Sequence, residues 1–506
     1  MKAVFIIQVS LIAGVACWKD SNYAYRLLVW CVVAVKNIVG HLASIIMILG
    51  LMFLPPALVG LIYSEHSFSH FLGLAAALTT LGFFLRRKLP LQEVSTPEAM
   101  AIAALVWLVV AGVGAIPYIT IGGLSPLDAY FEAMSGFTTT GMTLIRDVEG
   151  LPRSLLFWRS FTQWIGGVGV LVLFILFLTP EGLGVGVWRL YAAESREERL
   201  AASTRATVTR IWQIYLFYTV ACASSLMLVG IEPFDAINHS LTALATGGFS
   251  THNLSIGALN NPAAEAVLVL FMIIGAISFL VHLRVFRVGP KALIDNKEVL
   301  VFLSILAASF SLISLDLIAH GFTDFFGALR VAIFQAVSII TSTGYTTANI
   351  EIFPPFSQVL LLFLMLIGGC VGSTSGAIKV MRLIILAKLG HHLLLKLKLP
   401  LGVVTPIRIG SSLLHEEDAL RVAGFFAIYT LLLTVGCLCM TACDLDPFSS
   451  FSAVLSAQSN IGPNFLPLNA LPPIPKAILI FEMWAGRLEI IPVLILFMPR
   501  SWLRVS

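Results

Sequence analysis

Four short runs in this 506-residue chain join hydroxyl side chains to glycine. They are Met134-Ser135-Gly136-Phe137-Thr138-Thr139-Thr140-Gly141, Leu241-Thr242-Ala243-Leu244-Ala245-Thr246-Gly247-Gly248, Val337-Ser338-Ile339-Ile340-Thr341-Ser342-Thr343-Gly344 and Leu455-Ser456-Ala457-Gln458-Ser459-Asn460-Ile461-Gly462. A hydroxyl (Ser135, Thr242, Ser338 or Ser456) stands six residues before the last glycine of each. The last glycines follow one another at intervals of 107, 96 and 118 residues, which makes the runs internal repeats. Such segments supply hard oxygen ligands without charge: backbone carbonyls aided by Thr and Ser hydroxyls. Converging carbonyls can replace the hydration shell of an alkali ion, and glycine permits backbone that other residues resist. No ring of Asp or Glu flanks the four glycines, which argues against a calcium-type site.

The elements that position these runs follow from composition. Apolar residues make up 58% of the chain and charged ones 11%, against about 25% charged in a soluble domain, so a water-exposed fold is excluded. Apolar runs near 41–64, 69–85, 99–121, 156–179, 209–230, 263–284, 299–319, 357–386, 419–443 and 474–498 are each expected to span a bilayer. Segments 86–98, 180–210, 284–298, 382–421 and 499–506 together hold 20 Lys and Arg, whereas 121–157, 230–264, 320–357 and 443–476 hold 4. By the positive-inside rule the first set faces the cytoplasm and the glycine runs lie on the outward side. Residues 1–40 carry a signal-like apolar core at Ala3–Cys17, read as an extra helix or an overextended start and given no function.

Each interval between glycines therefore holds a span inward, a charged loop, a span outward and a half-spanning helix. The half-helices are expected to start near Pro126-Leu127-Asp128, Pro233-Phe234-Asp235 and Asp446-Pro447, residues suited to a helix N-terminus. Their C-terminal ends, with about half a negative elementary charge each, then point at the loops and favour a cation. The expected fold is an all-α membrane protein of four parallel span–pore-helix–filter–span repeats around a central pore. N-terminal transmembrane helices occupy 1–98, and the pore units occupy 99–185, 186–285, 286–390 and 391–506. Irregular backbone at membrane depth needs water or protein around it, which four facing loops provide. The competing reading is that the small residues only let helices pack closely, which four copies in register on one side disfavour.

The expected filter residues are Thr139, Thr140, Gly141, Thr246, Gly247, Gly248, Ser342, Thr343, Gly344, Asn460, Ile461 and Gly462. A second constellation lies in the third unit. Gly368, Gly369, Gly372 and Gly376 fall within nine residues of an apolar run and should break its helix. Lys379, Arg487 and Glu489 are charged residues inside apolar runs, costly enough to be functional candidates. The glycine stretch is expected to form a flexible constriction below the filter, with Arg487 donating to its free carbonyls. The alternative is an ion pair of Lys379 or Arg487 with Glu482 or Glu489 that only fixes packing.

Other signals carry no function. The seven cysteines lack metal or disulfide spacing and read as small buried hydrophobes. Gly182-Leu183-Gly184-Val185-Gly186 follows a span and is no dinucleotide fingerprint. His391, His392, His415, Glu416 and Glu417 read as solvated surface, and His252, after the second filter, receives no role. The net charge of +4 is spread thinly, without a nucleic-acid stripe, and there is no hydrolase constellation.

Beyond the glycine runs, three stretches carry a likeness to known proteins: Phe157-Trp158-Arg159-Ser160-Phe161-Thr162-Gln163-Trp164-Ile165-Gly166-Gly167-Val168-Gly169, Gly368-Gly369-Cys370-Val371-Gly372-Ser373-Thr374-Ser375-Gly376-Ala377-Ile378-Lys379-Val380-Met381-Arg382, and Gly486-Arg487-Leu488-Glu489. Over roughly residues 40–500 the chain resembles the Trk/Ktr/HKT superfamily of potassium transporters, most closely its bacterial TrkH/TrkG potassium-uptake subunits. The resemblance implies potassium contacts from the filter backbone, a gating loop faced by a positive residue, and a homodimer in the bacterial inner membrane. It also implies control by a cytosolic nucleotide-binding TrkA-type subunit meeting the inward loops 180–210 and 386–418. Potassium is then the transported ion, no prosthetic group is expected, and membrane lipid is the surrounding partner. Two positions depart from the family pattern. Ile461 replaces the usual threonine before glycine, with altered selectivity or flux expected; Gly247 precedes Gly248, which adds flexibility. Within the family, sodium-favouring members often carry serine at the first filter glycine, so the resemblance implies that Gly141 favours the potassium reading. Ion-coupled symport would need inverted or mobile repeats, whereas these run parallel, and a lipid-phosphate enzyme would need acidic metal ligands that are absent.

Overall fold

The computed structural model describes residues 38–89, 96–177, 204–398, 400, 406–409 and 412–498. The signal-like segment, the Gly182–Gly186 cluster, Cys17, Cys31 and most of the 180–210 loop lie outside the described residues. The chain runs through α1 (Ile38–Ile62), α2 (Ser67–Lys88), α3 (Thr96–Gly114), α4 (Pro126–Phe137), α5 (Arg153–Phe177), α6 (Thr204–Leu228), α7 (Pro233–Leu244), α8 (Pro262–Ala276), α9 (Phe279–Val288) and α10 (Lys297–Ala319). It continues through α11 (Phe325–Ile340), α12 (Pro355–Ile367), α13 (Val380–Lys396), β1 (Ile407–Ile409), β2 (Ser412–Leu414), α14 (Glu416–Thr441), α15 (Pro447–Gln458), α16 (Pro473–Arg487) and α17 (Ile491–Phe497). The two strands form a small antiparallel hairpin in the register Ile407↔Leu414, Arg408↔Leu413 and Ile409↔Ser412.

Two compact units result. One comprises Met1–Leu54, Leu72–Val109 and Ile491–Ser506. Within it α1 and α2 approach closely: Gly82 lies against Ala43 and Met47, Gly50 against Thr79, and Arg86 donates to Ser44 across 3.0 Å. The other unit, Pro55–Phe71 and Val110–Ile490, holds the four glycine runs and the glycine cluster at 368–376.

Within that larger unit a short helix, a glycine loop and a following helix recur four times. The short helices α4, α7, α11 and α15 have 12, 12, 16 and 12 residues. At 1.5 Å per residue they reach about 18–24 Å, less than the roughly 30 Å hydrocarbon core. Their starts obey local chemistry. Ser125 caps α4 by accepting from the Asp128 amide at 3.3 Å, and Asp446 caps α15 by accepting from the Ser449 amide at 2.9 Å. Pro126, Pro233 and Pro447 sit at the first turn, where the missing N–H costs nothing. The third short helix begins without proline, after Asp324.

Six helices among the described residues are long and apolar enough to cross a membrane, and α8 with α9 makes a seventh if counted as one span. Ten uninterrupted spans are therefore not what forms. The run 263–284 bends by 100° between α8 and α9. The run 357–386 opens into a loop between Ile367 and Val380, and 474–498 breaks between Arg487 and Ile491. Hydropathy reports that a segment is buried, whether or not its backbone stays helical. Where protein supplies partners, free backbone groups are tolerated at depth.

The four repeats interlock in one direction. The second helix of each packs on the short helix of the next: α5 on α7, α8 on α11, α12 on α15, and α16 back on α4. The order closes on itself, so the short helices surround a common axis.

Candidate functional site: a closed ring of four glycine loops

Each short helix ends by the same device. The amide of the residue before the last glycine (Thr140, Gly247, Thr343, Ile461) donates to the carbonyl of Ser135, Thr242, Ser338 or Ser456 at 2.9–3.0 Å. The preceding amide, of Thr139, Thr246, Ser342 or Asn460, donates to Gly136, Ala243, Ile339 or Ala457 at 3.0–3.1 Å. These paired bonds are a Schellman cap, which requires one residue in the left-handed region. Thr139, Thr246, Ser342 and Asn460 take it, with φ of 52°, 52°, 60° and 54°. None is glycine, so each site stores strain of roughly 1–2 kcal/mol.

The glycines serve the next step. Gly141, Gly248, Gly344 and Gly462 have φ of 82°, 79°, 81° and 108°. A Cβ on Gly141 would strike the carbonyl oxygen of Gly247; on Gly248, that of Thr343; on Gly344, that of Ile461; and on Gly462, that of Thr140. Each glycine thus abuts the carbonyl before the glycine of the following repeat, and the fourth returns to the first. The four loops form one closed ring of backbone oxygens, with Thr139, Thr140, Thr246, Ser342, Thr343, Asn460 and Ile461 all fully buried around it. Among the described residues, Thr139 Oγ1 and Ser342 Oγ are buried with no hydrogen-bond partner, oxygens free to face a ligand.

What holds the ring alternates. In the first and third repeats a hydroxyl pair sits behind the loop: Thr138 with Thr140 at 2.7 Å and Thr341 with Thr343 at 2.8 Å. Ser135 and Ser338 hydroxyls donate to the carbonyls of Met142 and Tyr345 at 2.6 and 2.7 Å. The second and fourth repeats lack that pair and use neighbouring helices. Gln163 of α5 donates to the Gly247 carbonyl at 2.7 Å and accepts from the Phe249 amide at 3.0 Å. Tyr429 of α14 and Ser459 share a hydroxyl–hydroxyl bond of 2.7 Å, and Ser456 Oγ accepts from the Gly462 amide at 2.9 Å. Gly247 is therefore not a point of added flexibility. It is glycine because the Gln163 amide fills the space a Cβ would need. The hydroxyl missing at Ile461 belongs to the scaffold behind the ring, and Tyr429 takes over its partner.

The expected second constellation also assembles. Between α12 and α13 the chain leaves the helix at Gly368, φ 73°, and re-enters after Lys379, φ 79°. The Thr374 hydroxyl reaches the carbonyls of Leu244 and Gly275, both at 3.0 Å, and accepts from the Thr246 hydroxyl at 3.3 Å. Gly376 lies against the Ser459 carbonyl, Gly369 against the Ala276 carbonyl, and the Gly372 carbonyl accepts from the Phe279 amide at 2.9 Å. Arg487 Nη1 donates to the Thr374 carbonyl at 2.8 Å and Nη2 to the Gly166 carbonyl at 3.2 Å. The loop of the third repeat thus touches the second and fourth, while Arg487 ties it to the first. Among the described residues Arg487 and Lys379 make no ion pair; Glu489 pairs with Arg382, and Glu482 has no cationic partner. Among the described residues the expected pairing of Lys379 or Arg487 with Glu482 or Glu489 does not form as a direct contact.

Sequence reasoning missed Gln163, Tyr429, Tyr345 and Glu298. Gln163 was within reach as a polar residue in an apolar span. Tyr345, whose hydroxyl donates to the His239 carbonyl at 3.1 Å and bonds Thr242, had no such signal.

A many-helix membrane fold with four short helices and a closed ring of backbone oxygens points to a class: membrane cation transporters. The chain matches the TrkH cation transport protein family over residues 65–504 and belongs to it; it is a transporter and no enzyme. It is 37% identical to the Trk system potassium uptake protein TrkH of Vibrio parahaemolyticus, over 91% of this chain and 99% of that one. It is 36% identical to TrkH of Escherichia coli (93% and 99%) and 32% identical to the TrkG protein of that organism (92% and 98%). The crystal structure of the potassium transporter TrkH from Vibrio parahaemolyticus superposes with a TM-score of 0.85 at 34% identity, covering 93% and 99% of the two chains. The chain is thus a multi-pass membrane protein of potassium transport.

Proposed function

We propose that this chain carries potassium into the cell through a gated, channel-like path in the bacterial inner membrane, with the glycine ring as its selectivity filter on the periplasmic side. The observation that carries this reading is the ring, in which each glycine meets a carbonyl of the next repeat and the fourth meets the first. A dehydrated alkali ion at its centre exchanges water oxygens for carbonyls already held by the protein. The inside-negative potential drives entry with about 2.3 kcal/mol per charge per 100 mV. The loop from Gly368 to Lys379, pinned by Arg487, closes the path on the cytoplasmic side of the ring. The likeness to Trk-system proteins supports a homodimer of four-unit chains, parsed as 99–185, 186–285, 286–390 and 391–506. It also supports control by a TrkA-type nucleotide-binding subunit docking on the inward loops.

The test is rubidium uptake in cells stripped of their own potassium-uptake systems, comparing wild type, empty vector and Gly344→Ser. Wild type restores uptake, and the serine variant loses potassium preference because its Cβ displaces the Ile461 carbonyl. Equal uptake by vector and wild type, with protein in the membrane, overturns the proposal.

A further inference from the structure

We propose that Glu298 is the positioning residue that keeps the 368–379 loop folded across the path, fastening both feet of the loop with one carboxylate oxygen. The inference rests on the reading of that loop as a gate. After leaving α12 the loop doubles back on itself. The Ile378 amide donates to Leu366, that of Lys379 to Ile367 and that of Val380 to Gly369, at 3.2, 2.8 and 3.0 Å. This pairing makes a narrow neck. Just past it on the outgoing side stands Val371, and on the returning side Met381. Oε1 of Glu298 accepts from the Val371 amide at 2.8 Å and from the Met381 amide at 3.1 Å. Glu298 is 1% exposed and projects from the first turn of α10, a helix whose start is fixed by Asn296 accepting from the Val299 amide at 3.1 Å.

The loop is fastened at two places. At its tip the Thr374 hydroxyl bonds carbonyls of another repeat, and the Thr374 carbonyl accepts from Arg487 at 2.8 Å. Its feet share one acceptor, Oε1 of Glu298, so a single side chain fixes both. They also lie in a dry setting. Val371 and Met381 belong to an apolar cluster with Ile385 and Leu389 of α13 and Ile407 and Ile409 of the hairpin, where water cannot compete for the two amides. Arg487 thus fixes the tip and Glu298 the feet. Removing the anchor frees both feet together.

Cys370 supplies the reporter, since its thiol sits in the loop one residue before Val371 and is fully buried. In the full chain with the other six cysteines changed to serine, rubidium uptake without added regulator and the rate of Cys370 modification by a small membrane-permeant thiosulfonate are measured together. Glu298→Ala raises both, modification by roughly tenfold, as loss of two buried amide bonds at once implies. Glu298→Gln, whose amide oxygen still accepts from both N–H groups, restores most of the protection. Glu298→Asp, too short to reach both feet, falls between and stands in for the alanine variant should that fail to reach the membrane. Faster modification with unchanged uptake would mean a purely structural carboxylate and overturn the inference, as would wild-type values of both. If Arg487→Ala also leaves basal uptake unchanged while Gly344→Ser alters it, the gate reading has failed. If Arg487→Ala raises uptake and Glu298→Ala does not, only the role of Glu298 has.

Discussion

The side-chain amide of Gln163 lies 2.7 Å from the Gly247 carbonyl oxygen, a bond between α5 of the first repeat and the glycine loop of the second. Its other end accepts from the Phe249 amide, so one residue holds both sides of Gly248. Gln163→Leu keeps the volume and removes both bonds, at about 1 kcal/mol each. Rubidium-over-sodium preference in competition uptake is expected to fall roughly tenfold. Gly247→Ala should act alike by pushing the same amide away.

Tyr429 and Ile461 form a testable exchange. Tyr429→Phe leaves the buried Ser459 hydroxyl without its 2.7 Å partner and should destabilise the fourth loop by about 1 kcal/mol. Ile461→Thr places a hydroxyl where Thr140 and Thr343 carry theirs, within reach of Ser459. In a double-mutant cycle read by thermal melting of purified protein, the threonine rescues the phenylalanine variant and adds little to wild type.

Arg487→Ala removes the donors to the Thr374 and Gly166 carbonyls and leaves the loop tip tied only by hydroxyl bonds. Basal rubidium flux is expected to rise. Unchanged flux in a well-expressed variant rejects the gate.

Arg159 and Glu132 are a buried pair, 3.8 Å apart, next to the first glycine loop. Glu132 accepts from the Thr143 hydroxyl at 2.7 Å and from the Leu144 and Ile145 amides. Arg159 donates to the Ser250 carbonyl at 3.1 Å and covers the Phe249 ring. The pair joins the chain after the first glycine loop to that after the second. Arg159→Met strands the carboxylate and should cost about 3–5 kcal/mol, seen as a large drop in melting temperature. Glu132→Gln with Arg159→Met together should cost less than Arg159→Met alone.

His252 gives the filter-side loops a pH dependence. It bridges Asp235 at 3.1 Å and Glu149 at 3.3 Å and stacks on the His239 ring at 6.2 Å. The hydrogen bond to Asp235, ahead of the opposing effect of burial and with help from both carboxylates, raises its pKa above the ordinary 6.5. A raised pKa means the protonated form is favoured by folding. Its stabilisation is fully present below pH 6.5 and fades as pH rises through the higher folded value. The melting-temperature gap between wild type and His252→Gln should therefore be widest near about pH 5 and close toward about pH 8. A gap that does not vary with pH rejects the bridge.

The sequence by itself determined what is local. Proline and Asp or Ser mark where α4, α7 and α15 begin, because capping is settled within one helical turn. The spacing of hydroxyl and glycine marks where each helix stops, and the glycine cluster at 368–376 marks a break. Even the number of repeats is legible, since each carries its own copy of the signal. Only the tertiary structure decided which loop meets which: that Gly344 abuts Ile461 and Gly462 returns to Thr140, and that Gln163 and Tyr429 replace the hydroxyl pair where a repeat lacks it. It also decided that three apolar runs break instead of forming single uninterrupted helices. Periodicity and turn chemistry act over a few residues, whereas Gln163 and Gly247 stand 84 residues apart and Arg487 and Gly166 stand 321 apart. Such pairs are chosen by how helices pack, a choice that no short stretch of chain encodes alone.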